Sequence, residues 1–294
     1  MSDFVQQEGA DCDFCGGDSW VILSPIEQSI KRKIEAVGTP LKDWDINIYR
    51  GVLTGYNDAF IISTEKRNEI LDNCKDADER KRTEELIRPI LRGRDIKRYG
   101  YDWADLWLIN THNGVKGKIP RIDINDYPAV KAHLDKYWNK IKDRADQGDT
   151  PYNLRSCAYM EDFNKPKIVY PNMTKYMPFF YDENAYCTNQ KCFIVTGQSM
   201  AYLTAFFNSS LFKFCFRESF PELQGGTREM SKIFFDKTPV LQVTAEMNTK
   251  FILSVDDIQS EYTRSKAIAI DAMIFDLYNL SERERQVIGF VEIE

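Results

Sequence analysis

A short basic segment offers the clearest chemistry in this sequence. Four cations stand within seven residues, with one acid among them and an aromatic residue directly after: Arg92, Arg94, Lys97 and Arg98, then Asp95, then Tyr99. Guanidinium and ammonium groups attract phosphates, and an aromatic ring offers a stacking surface to a base. Gly93 is expected to break a helix between the first two arginines. A solvated face, with Asp95 paired locally, is the alternative interpretation.

A second segment, residues 49–60, combines glycines with hydrogen-bonding side chains. It reads Tyr-Arg-Gly-Val-Leu-Thr-Gly-Tyr-Asn-Asp-Ala-Phe. The glycines permit backbone conformations that other residues avoid, so a strand–turn–strand here would display Arg50, Thr54 and Asn57. Those side chains suit a phosphate or a base edge. They also suit a turn that satisfies its own polar groups, which residue chemistry alone slightly favours.

Several kinds of catalytic site lack their residues in this sequence. No Pro-Pro pair exists for the base-holding loop of an adenine methyltransferase, and neither Gly16-Gly17 nor Gly225-Gly226 follows a strand as a cofactor-binding turn requires. No strand-borne Asp…Glu-x-Lys arrangement is present for a metal-dependent nuclease. The only two histidines, His112 and His133, have no partner pattern for acyl transfer. The chain alone is therefore not expected to be an enzyme, or to bind a cofactor or a metal.

Composition indicates an intracellular globular protein. With 43% hydrophobic and 13% aromatic residues, the 294-residue chain can bury a sizeable core, and no run approaches the roughly 18 apolar residues of a membrane span. Its first residues are acidic, unlike a signal peptide. Seven cysteines, an odd number, suit a reducing compartment, and Cys12 and Cys15 form one CxxC without the four ligands of a structural zinc. A cytoplasmic location with no membrane partner is expected.

The charge distribution permits an anionic partner despite a net charge of −6. Residues 1–45 carry 4 basic and 9 acidic side chains, and residues 241–294 carry 5 basic and 10 acidic ones. The middle, 46–240, holds 30 basic against 26 acidic side chains, a net charge of +4. A mildly basic body between two acidic ends is compatible with phosphate binding.

The elements that must position these segments mix helices and strands without a regular βαβ order. Ser24, Pro25 and Glu27 form a capping box that opens the first helix, and Gly38 ends it. Further helices are predicted over 64–91 (interrupted by a charged loop at 75–82), 128–144, 200–207, around 270–277 and from 281, where Ser281 and Glu284 form a second capping box. Strands are predicted within 46–63 and at 106–109, 168–170 and 193–195. The pattern favours an α+β fold with a mixed, mainly antiparallel sheet, packed helices and a helical C-terminal tail.

The ordered series of segments resembles a known family. The pattern R-G-I-x-T-G-x-N-x-A-F followed by I-x-P-x-L-x-G-x-D-I-x-x-Y, typical of the TaqI-like specificity domain of Eco57I-type (type IIG) restriction–modification enzymes, is matched at 50–60 and 87–99. Weaker matches follow at 126–128, 165–168, 202–209 and 277–282. The resemblance covers nearly everything from Leu41 onward. Asn279 stands where the family usually has glycine, and the methyltransferase region of such enzymes is absent from the sequence.

The resemblance implies that the chain recognises double-stranded DNA for a methyltransferase domain of the same polypeptide. Such enzymes methylate adenine N6 and, where a nuclease is fused, also cleave, so S-adenosylmethionine and Mg²⁺ would belong to parts outside this chain. Two loops, 172–175 and 224–228, are expected to enter a groove, and their candidate contacts, with one further lysine, are Lys175, Gln224, Arg228 and Lys232. Residues 1–40 would be a leader and linker helix, 41–240 the target recognition domain and 241–294 a helical extension.

Two other classes of function stay open at this point. The chain could be a protein-interaction module, or a methyltransferase or nuclease in its own right. The glycine-containing loop 224–228 could equally be a plain flexible connection.

Overall fold

The computed structural model describes residues 24–292 and has a mixed α+β fold, as the sequence predicts. The predicted leader, with Cys12, Cys15 and Gly16-Gly17, lies outside the described residues. Within 24–292, no helix combines the length and apolar composition needed to cross a membrane.

The helices follow local capping signals in the sequence. Both predicted capping boxes are present: the Ser24 and Ser281 hydroxyls accept from the amides of Glu27 and Glu284, whose carboxylates reach back to the serine amides. The α-helices are α1 Pro25–Val37, α2 Asn57–Phe60, α3 Thr64–Asp72, α4 Ala77–Leu86, α5 Pro128–Asp135, α6 Trp138–Ile141, α7 Met200–Asn208, α8 Ser210–Phe216, α9 Lys232–Phe235, α10 Ala245–Ser260, α11 Arg264–Leu277 and α12 Glu282–Ile288.

The strands are short, and most pair antiparallel. They are β1 Thr39–Pro40, β2 Ile46–Arg50, β3 Ile61–Ser63, β4 Ile87–Leu91, β5 Ile96–Lys97, β6 Gly100–Tyr101, β7 Leu106–Ile109, β8 Lys167–Pro171, β9 Met173–Thr174, β10 Phe180–Asp182, β11 Cys187–Thr188, β12 Cys192–Gly197, β13 Arg228–Glu229 and β14 Pro239–Val240. The predicted strands at 106–109, 168–170 and 193–195 are confirmed, and the buried β8 and β12 carry the β-branched and aromatic residues that strands favour.

Two four-stranded sheets organise the molecule. The first has the order β10-β8-β12-β2 and is antiparallel throughout. The second has the order β11-β4-β7-β3, in which only β11 and β4 run parallel. A parallel bridge between Val52 and Asn189 joins the chain that leaves β2 to the turn between β11 and β12. The two sheets therefore meet beside the 49–60 segment.

Three apolar clusters fill the interior. The first lies between the first sheet and the helices α1, α7, α8 and α10–α12, and it contains Ile34, Phe206 and Ile274. The second packs α2–α6 against the second sheet, and the third, around Leu91 and Ile194, lies between them. The first cluster contains residues from all three predicted domains, 1–40, 41–240 and 241–294. The boundaries at 40 and 240 stay predictions.

Four details of the predicted helices are wrong. The charged stretch 75–82 is largely helix α4, because Asp76 caps it, and Ile87–Leu91 is the central strand β4. A five-residue apolar run cannot be distinguished from buried helix by periodicity alone. The helix predicted over 128–144 divides into α5 and α6, and Gly93 begins a 3₁₀ turn after a strand rather than breaking a helix.

Candidate nucleic-acid interface

An open cleft of about 700 Å³ brings the two predicted motif segments together. It lies where β4, β8 and β9 end and the turn between β11 and β12 begins. The side chains and backbone that line it belong to Asn57, Arg92, Gly93, Arg94, Ile96, Lys97, Pro171, Met173, Thr174, Tyr176, Pro178, Asn189 and Lys191. The 49–60 segment, the basic segment and the predicted 172–175 loop thus converge on one site, although they are far apart in the sequence.

The glycines of the first segment are required by packing. A Cβ atom on Gly51 would lie 2.0 Å from the carbonyl oxygen of Asn189, so only glycine lets the chain cross the β11–β12 turn. Gly55 has a φ of +68°, and a Cβ there would lie 2.9 Å from Cδ of Arg144. The segment therefore adopts one path, and that path ends at Asn57 on the cleft.

Thr54 is buried and orients Asn57. Its hydroxyl donates to Oδ1 of Asn57 at 2.6 Å, and its carbonyl accepts from Nε of Arg144 at 2.9 Å. Arg144 is itself buried and donates to the carbonyls of Ile141, Pro151 and Asn153. The exposed Asn57 consequently presents its amino group, which has no hydrogen-bond partner among the described residues, as a donor. Thr54, predicted to contact DNA, lies behind Asn57 and positions it.

The cations of the basic segment have different surroundings. Arg92 is held by Asp95: its Nε lies 3.0 Å from Oδ2, its terminal nitrogen lies 2.7 Å from Oδ1, and these hydrogen bonds raise the pKa of Arg92. Lys97 is exposed and 3.5 Å from the exposed Asp102, a pair worth at most about 1 kcal/mol. Arg94 is exposed and has no ion-pair partner in the described part of the chain. Arg94 is thus the cation most available to a phosphate.

Arg98 and Tyr99 lie away from the cleft, and their placement gives no support to the predicted DNA contacts. Arg98 is 5% exposed and donates to the carbonyls of Val291 and Asn208, at 3.0 and 2.7 Å. Tyr99 is 1% exposed, and its hydroxyl donates to the Ala205 carbonyl. The chain turns at Tyr99 with a φ of +58°, and the Tyr99 side chain belongs to the first apolar cluster. The Arg98 guanidinium lies 5.0 Å from the Phe290 ring, which packs against that cluster.

The 172–175 loop forms the opposite wall of the cleft. Strand β9 pairs antiparallel with β13, which sets Arg228 against Thr174. The Thr174 hydroxyl accepts from the amides of Tyr176 and Met177, which tightens the turn that follows. Met173 and Tyr176 are exposed apolar and aromatic surfaces on the cleft wall, and the exposed Lys175 lies 5.6 Å from the Tyr176 ring. This wall can contact bases as well as phosphates.

The second predicted DNA-contacting loop, 224–228, ends at a buried arginine. Arg228 is 4% exposed, and it donates to the Phe220 carbonyl and to the carboxylates of Glu218 and Glu222. Its placement does not support a contact with a base edge, since the guanidinium already has three acceptors. Gln224 is exposed beside two glycines with positive φ, and Lys232 is exposed but 2.7 Å from Asp236. Arg50 is exposed and donates to the Gln190 carbonyl next to the cleft.

Lys191 and Asn189 line the cleft but were not predicted from the sequence. Lys191 is exposed, and its carbonyl accepts from the amide of Asn172 at 2.8 Å. A Cβ on Gly93 would lie 2.9 Å from that same oxygen, so glycine is needed where the basic segment passes the turn. In the sequence, the polar run Asn189-Gln190-Lys191 between two cysteine-containing strands indicates a turn.

The cleft is cationic in a chain whose net charge is −6. Four of its lining residues, Arg92, Arg94, Lys97 and Lys191, are basic, and none is an aspartate or glutamate. Magnesium needs oxygen ligands, usually carboxylates, so these residues do not fit it. The described residues also contain no group of three or more histidine, cysteine or acidic side chains that could hold a metal. The site fits a polyanion, with an amide donor and an aromatic ring beside the charges.

The cysteines of the described region are poor nucleophiles. Burial raises the pKa of the Cys157 thiol to about 11 and that of Cys215 to about 12. Burial also raises the pKa of Cys187 and Cys192 above the ordinary range. A thiolate is the reactive form, so these side chains are mostly protonated and serve packing.

The sequence profile of the TaqI-like C-terminal specificity domain matches residues 88–240. Two solved structures share the fold: the type IIG restriction endonuclease BpuSI (TM-score 0.53, 14% identity, 87% of this chain, 34% of that one) and the type IIL restriction–modification enzyme MmeI in complex with DNA (TM-score 0.56, 12% identity, 82% and 34%). The chain thus spans about a third of the length of each of these enzymes. No curated protein matches it.

Proposed function

Because the chain belongs to the family of TaqI-like C-terminal specificity domains, we propose that it binds one particular DNA sequence through its cationic cleft, as the target recognition part of a restriction–modification enzyme. The observation that carries the proposal is the composition of the cleft, which gathers four basic residues and no carboxylate from an acidic chain. Phosphate neutralisation supplies nearly all of the nonspecific affinity of a protein for DNA and a large share of its specific affinity.

The cleft makes two kinds of contact with DNA, to phosphates and to base edges. Arg94 and Lys191, which are exposed and have no ion-pair partner among the described residues, hold phosphates and fix the register of the duplex. Asn57 and the 172–175 wall face base edges. An amide donor pairs with base acceptors, and apolar side chains contact the thymine methyl group. Each well-made base contact contributes about 1–3 kcal/mol of discrimination.

The chemistry on DNA is assigned to parts outside this chain. Adenine-N6 methylation, and cleavage where a nuclease is fused, would be carried out by a methyltransferase domain and a nuclease of the same polypeptide, using S-adenosylmethionine and Mg²⁺. The cleft suits neither group, because S-adenosylmethionine carries a positive sulfonium and Mg²⁺ prefers carboxylate oxygens, whereas the lining is basic. The chain itself contributes binding and orientation of the DNA.

The test is selection from a pool of randomised duplexes at about 50 mM salt, with sequencing of the bound fraction, followed by a salt titration. The expected result is enrichment of one short sequence and weak binding that falls steeply as salt increases. Binding without enrichment would reduce the function to nonspecific DNA association, and no binding at low salt would refute it. Methyl transfer or cleavage by the purified chain would show instead an enzyme in its own right.

A further inference from the structure

A rigid basic hairpin stands apart from the cleft. Val115 and Ile119 form an antiparallel bridge with reciprocal amide–carbonyl hydrogen bonds of 2.9 Å, which leaves a three-residue loop, Lys116-Gly117-Lys118. Gly117 has a φ of +76° and nothing within 4 Å of where a Cβ would lie. Gly114 has a φ of +71°, and a Cβ there would be 2.4 Å from the Ile119 carbonyl oxygen. The loop is therefore open at its tip and tightly constrained at its base.

The base of the hairpin is fixed by hydrogen bonds to distant residues. The Asn113 side chain donates to Asp149 and Ser156, at 3.0 and 2.8 Å, and accepts from the amide of Asp149. The amide of Ile122 donates to the His112 carbonyl, which closes the two arms. A prearranged backbone lowers the entropy cost of binding a ligand.

The tip carries charge that nothing in the described chain neutralises. Lys116 and Lys118 are exposed and have no ion-pair partner among residues 24–292. Arg121, on the returning arm, is 3.8 Å from Asp149 with both side chains exposed, a weak pair. Two unpaired lysines on a fixed loop form a site for anions.

A continuous surface connects the hairpin to the cleft. Ile119 lines a groove of about 340 Å³ together with Arg88 and Asn110. Arg88 and Asn110 line the next depression along with Val52, which is the bridge partner of Asn189 in the cleft. Two depressions that share lining residues consequently connect the hairpin to the cleft.

Strand β4 separates the cleft from Asn110, which precedes the hairpin in the chain. The Asn110 amide donates to the Leu86 carbonyl just before β4, and Arg92 follows its other end. Six extended residues span about 20 Å at ~3.3 Å per residue. Phosphates of one DNA strand are about 3.4 Å apart along the axis, so the length of β4 alone corresponds to about six base pairs. The hairpin follows Asn110 further along the chain.

We propose that the hairpin at 113–121 is a second DNA contact, in which Lys116 and Lys118 bind backbone phosphates of the duplex outside the part that the cleft holds. The inference rests on the proposed function, because the duplex must occupy the cleft to extend to the hairpin. The contact is to phosphates and carries no sequence information, since lysine at an open tip acts as a point charge.

Removal of the two lysines tests the proposal. In full-length chain at about 50 mM salt, K116A/K118A is expected to weaken binding to a 30-base-pair duplex, with the selected sequence unchanged. The slope of log affinity against log salt should become shallower by about 2, one for each phosphate that the variant no longer neutralises. K116R/K118R should restore the slope. K31A/K250A, which removes two exposed lysines of α1 and α10, is the matched control.

Two further measurements separate this proposal from the proposed function. When the duplex is shortened stepwise on the hairpin side, a length should be reached at which wild type and K116A/K118A bind equally, while R94A/K191A still binds more weakly. Gly114→Ala, which distorts the hairpin without changing its charge, should weaken binding to the long duplex only. If R94A/K191A weakens binding but K116A/K118A matches the control, the hairpin contact is refuted and cleft recognition stands. If none of these variants changes binding, both are refuted.

Discussion

The hydroxyl of Thr54 donates a 2.6 Å hydrogen bond to Oδ1 of Asn57, and this contact fixes which half of the asparagine amide faces the cleft. Thr54 is 1% exposed, whereas Asn57 is exposed. The segment 50–60 therefore positions Asn57. Its glycines let the chain pass close to the β11–β12 turn, and Arg144 donates a hydrogen bond to the Thr54 carbonyl. Asn57 is the side chain that would contact the ligand.

Replacement of Thr54 by valine should affect binding only through Asn57. The substitution keeps the volume but removes the hydroxyl, so Asn57 is free to rotate, and the stability cost should be about 1 kcal/mol. We expect Thr54→Val and Asn57→Ala to relax preference at the same base pair. The selected sequence profile of each variant, and of the double variant, is the measurement. If Thr54→Val changed the profile further in the Asn57→Ala background, Thr54 would contact DNA itself.

Arg94 and Lys191 should set affinity without setting specificity. Both are exposed cleft cations without an ion-pair partner in the described part of the chain. We expect R94A and K191A each to weaken binding to all duplexes and to reduce the salt slope by about 1, because each variant neutralises one phosphate fewer and releases fewer counterions. A titration against K31A/K250A provides the comparison. An unchanged slope in both variants would remove these residues from the interface.

Arg228 should matter to the fold more than to base preference. Its guanidinium donates to the buried Phe220 carbonyl and to Glu218 and Glu222, and removal of such hydrogen bonds costs about 1–3 kcal/mol. We expect Arg228→Ala to lower the free energy of unfolding by that amount in urea denaturation. Gln224→Ala, an exposed change in the same loop, should leave stability unchanged. A shifted base preference at full stability would instead assign Arg228 to base reading.

The sequence predicted well the features that depend on local signals. The capping boxes at Ser24 and Ser281 and the apolar runs of β7, β8 and β12 depend on neighbouring residues, so periodicity and capping rules find them. The convergence of the motif segments on one cleft was not predicted, because it depends on contacts between distant parts of the chain.

Local signals could not predict whether a basic side chain lies in the cleft or in the interior. Arg98 is satisfied by carbonyls of Asn208 and Val291, which lie 110 and 193 residues further along the chain. The local sequence does not indicate whether the partner of a basic side chain is water, a phosphate or a distant backbone carbonyl. Lys191 illustrates the converse, because the polar run Asn-Gln-Lys indicates a turn but not that this turn lies beside Gly93 and Asn172 in the cleft.

The two histidines should make the folded state less stable as the pH falls, at pH values above those at which carboxylates titrate. His133 is 4% exposed, and its Nε2 lies 3.0 Å from the Ala59 carbonyl oxygen. Burial lowers its pKa, and the nearby Lys66 and Lys136 lower it further, although the Ala59 hydrogen bond and Glu69 oppose them. Burial likewise lowers the pKa of His112.

The sign of the effect follows from these lowered pKa values. Above pH ~6.5 histidine is neutral in both the folded and the unfolded chain, so stability is independent of it. As pH falls below ~6.5, the unfolded chain binds protons that the folded chain resists, and the free energy of unfolding decreases by at most about 1.4 kcal/mol per pH unit for each histidine. His133→Gln retains an amide nitrogen for Ala59, and His112→Asn retains an acceptor for the Gly114 amide. Urea denaturation between pH 7 and 5 should show a shallower decline in each variant and the shallowest in the double variant. An identical decline in all four proteins would place the acid sensitivity in other groups.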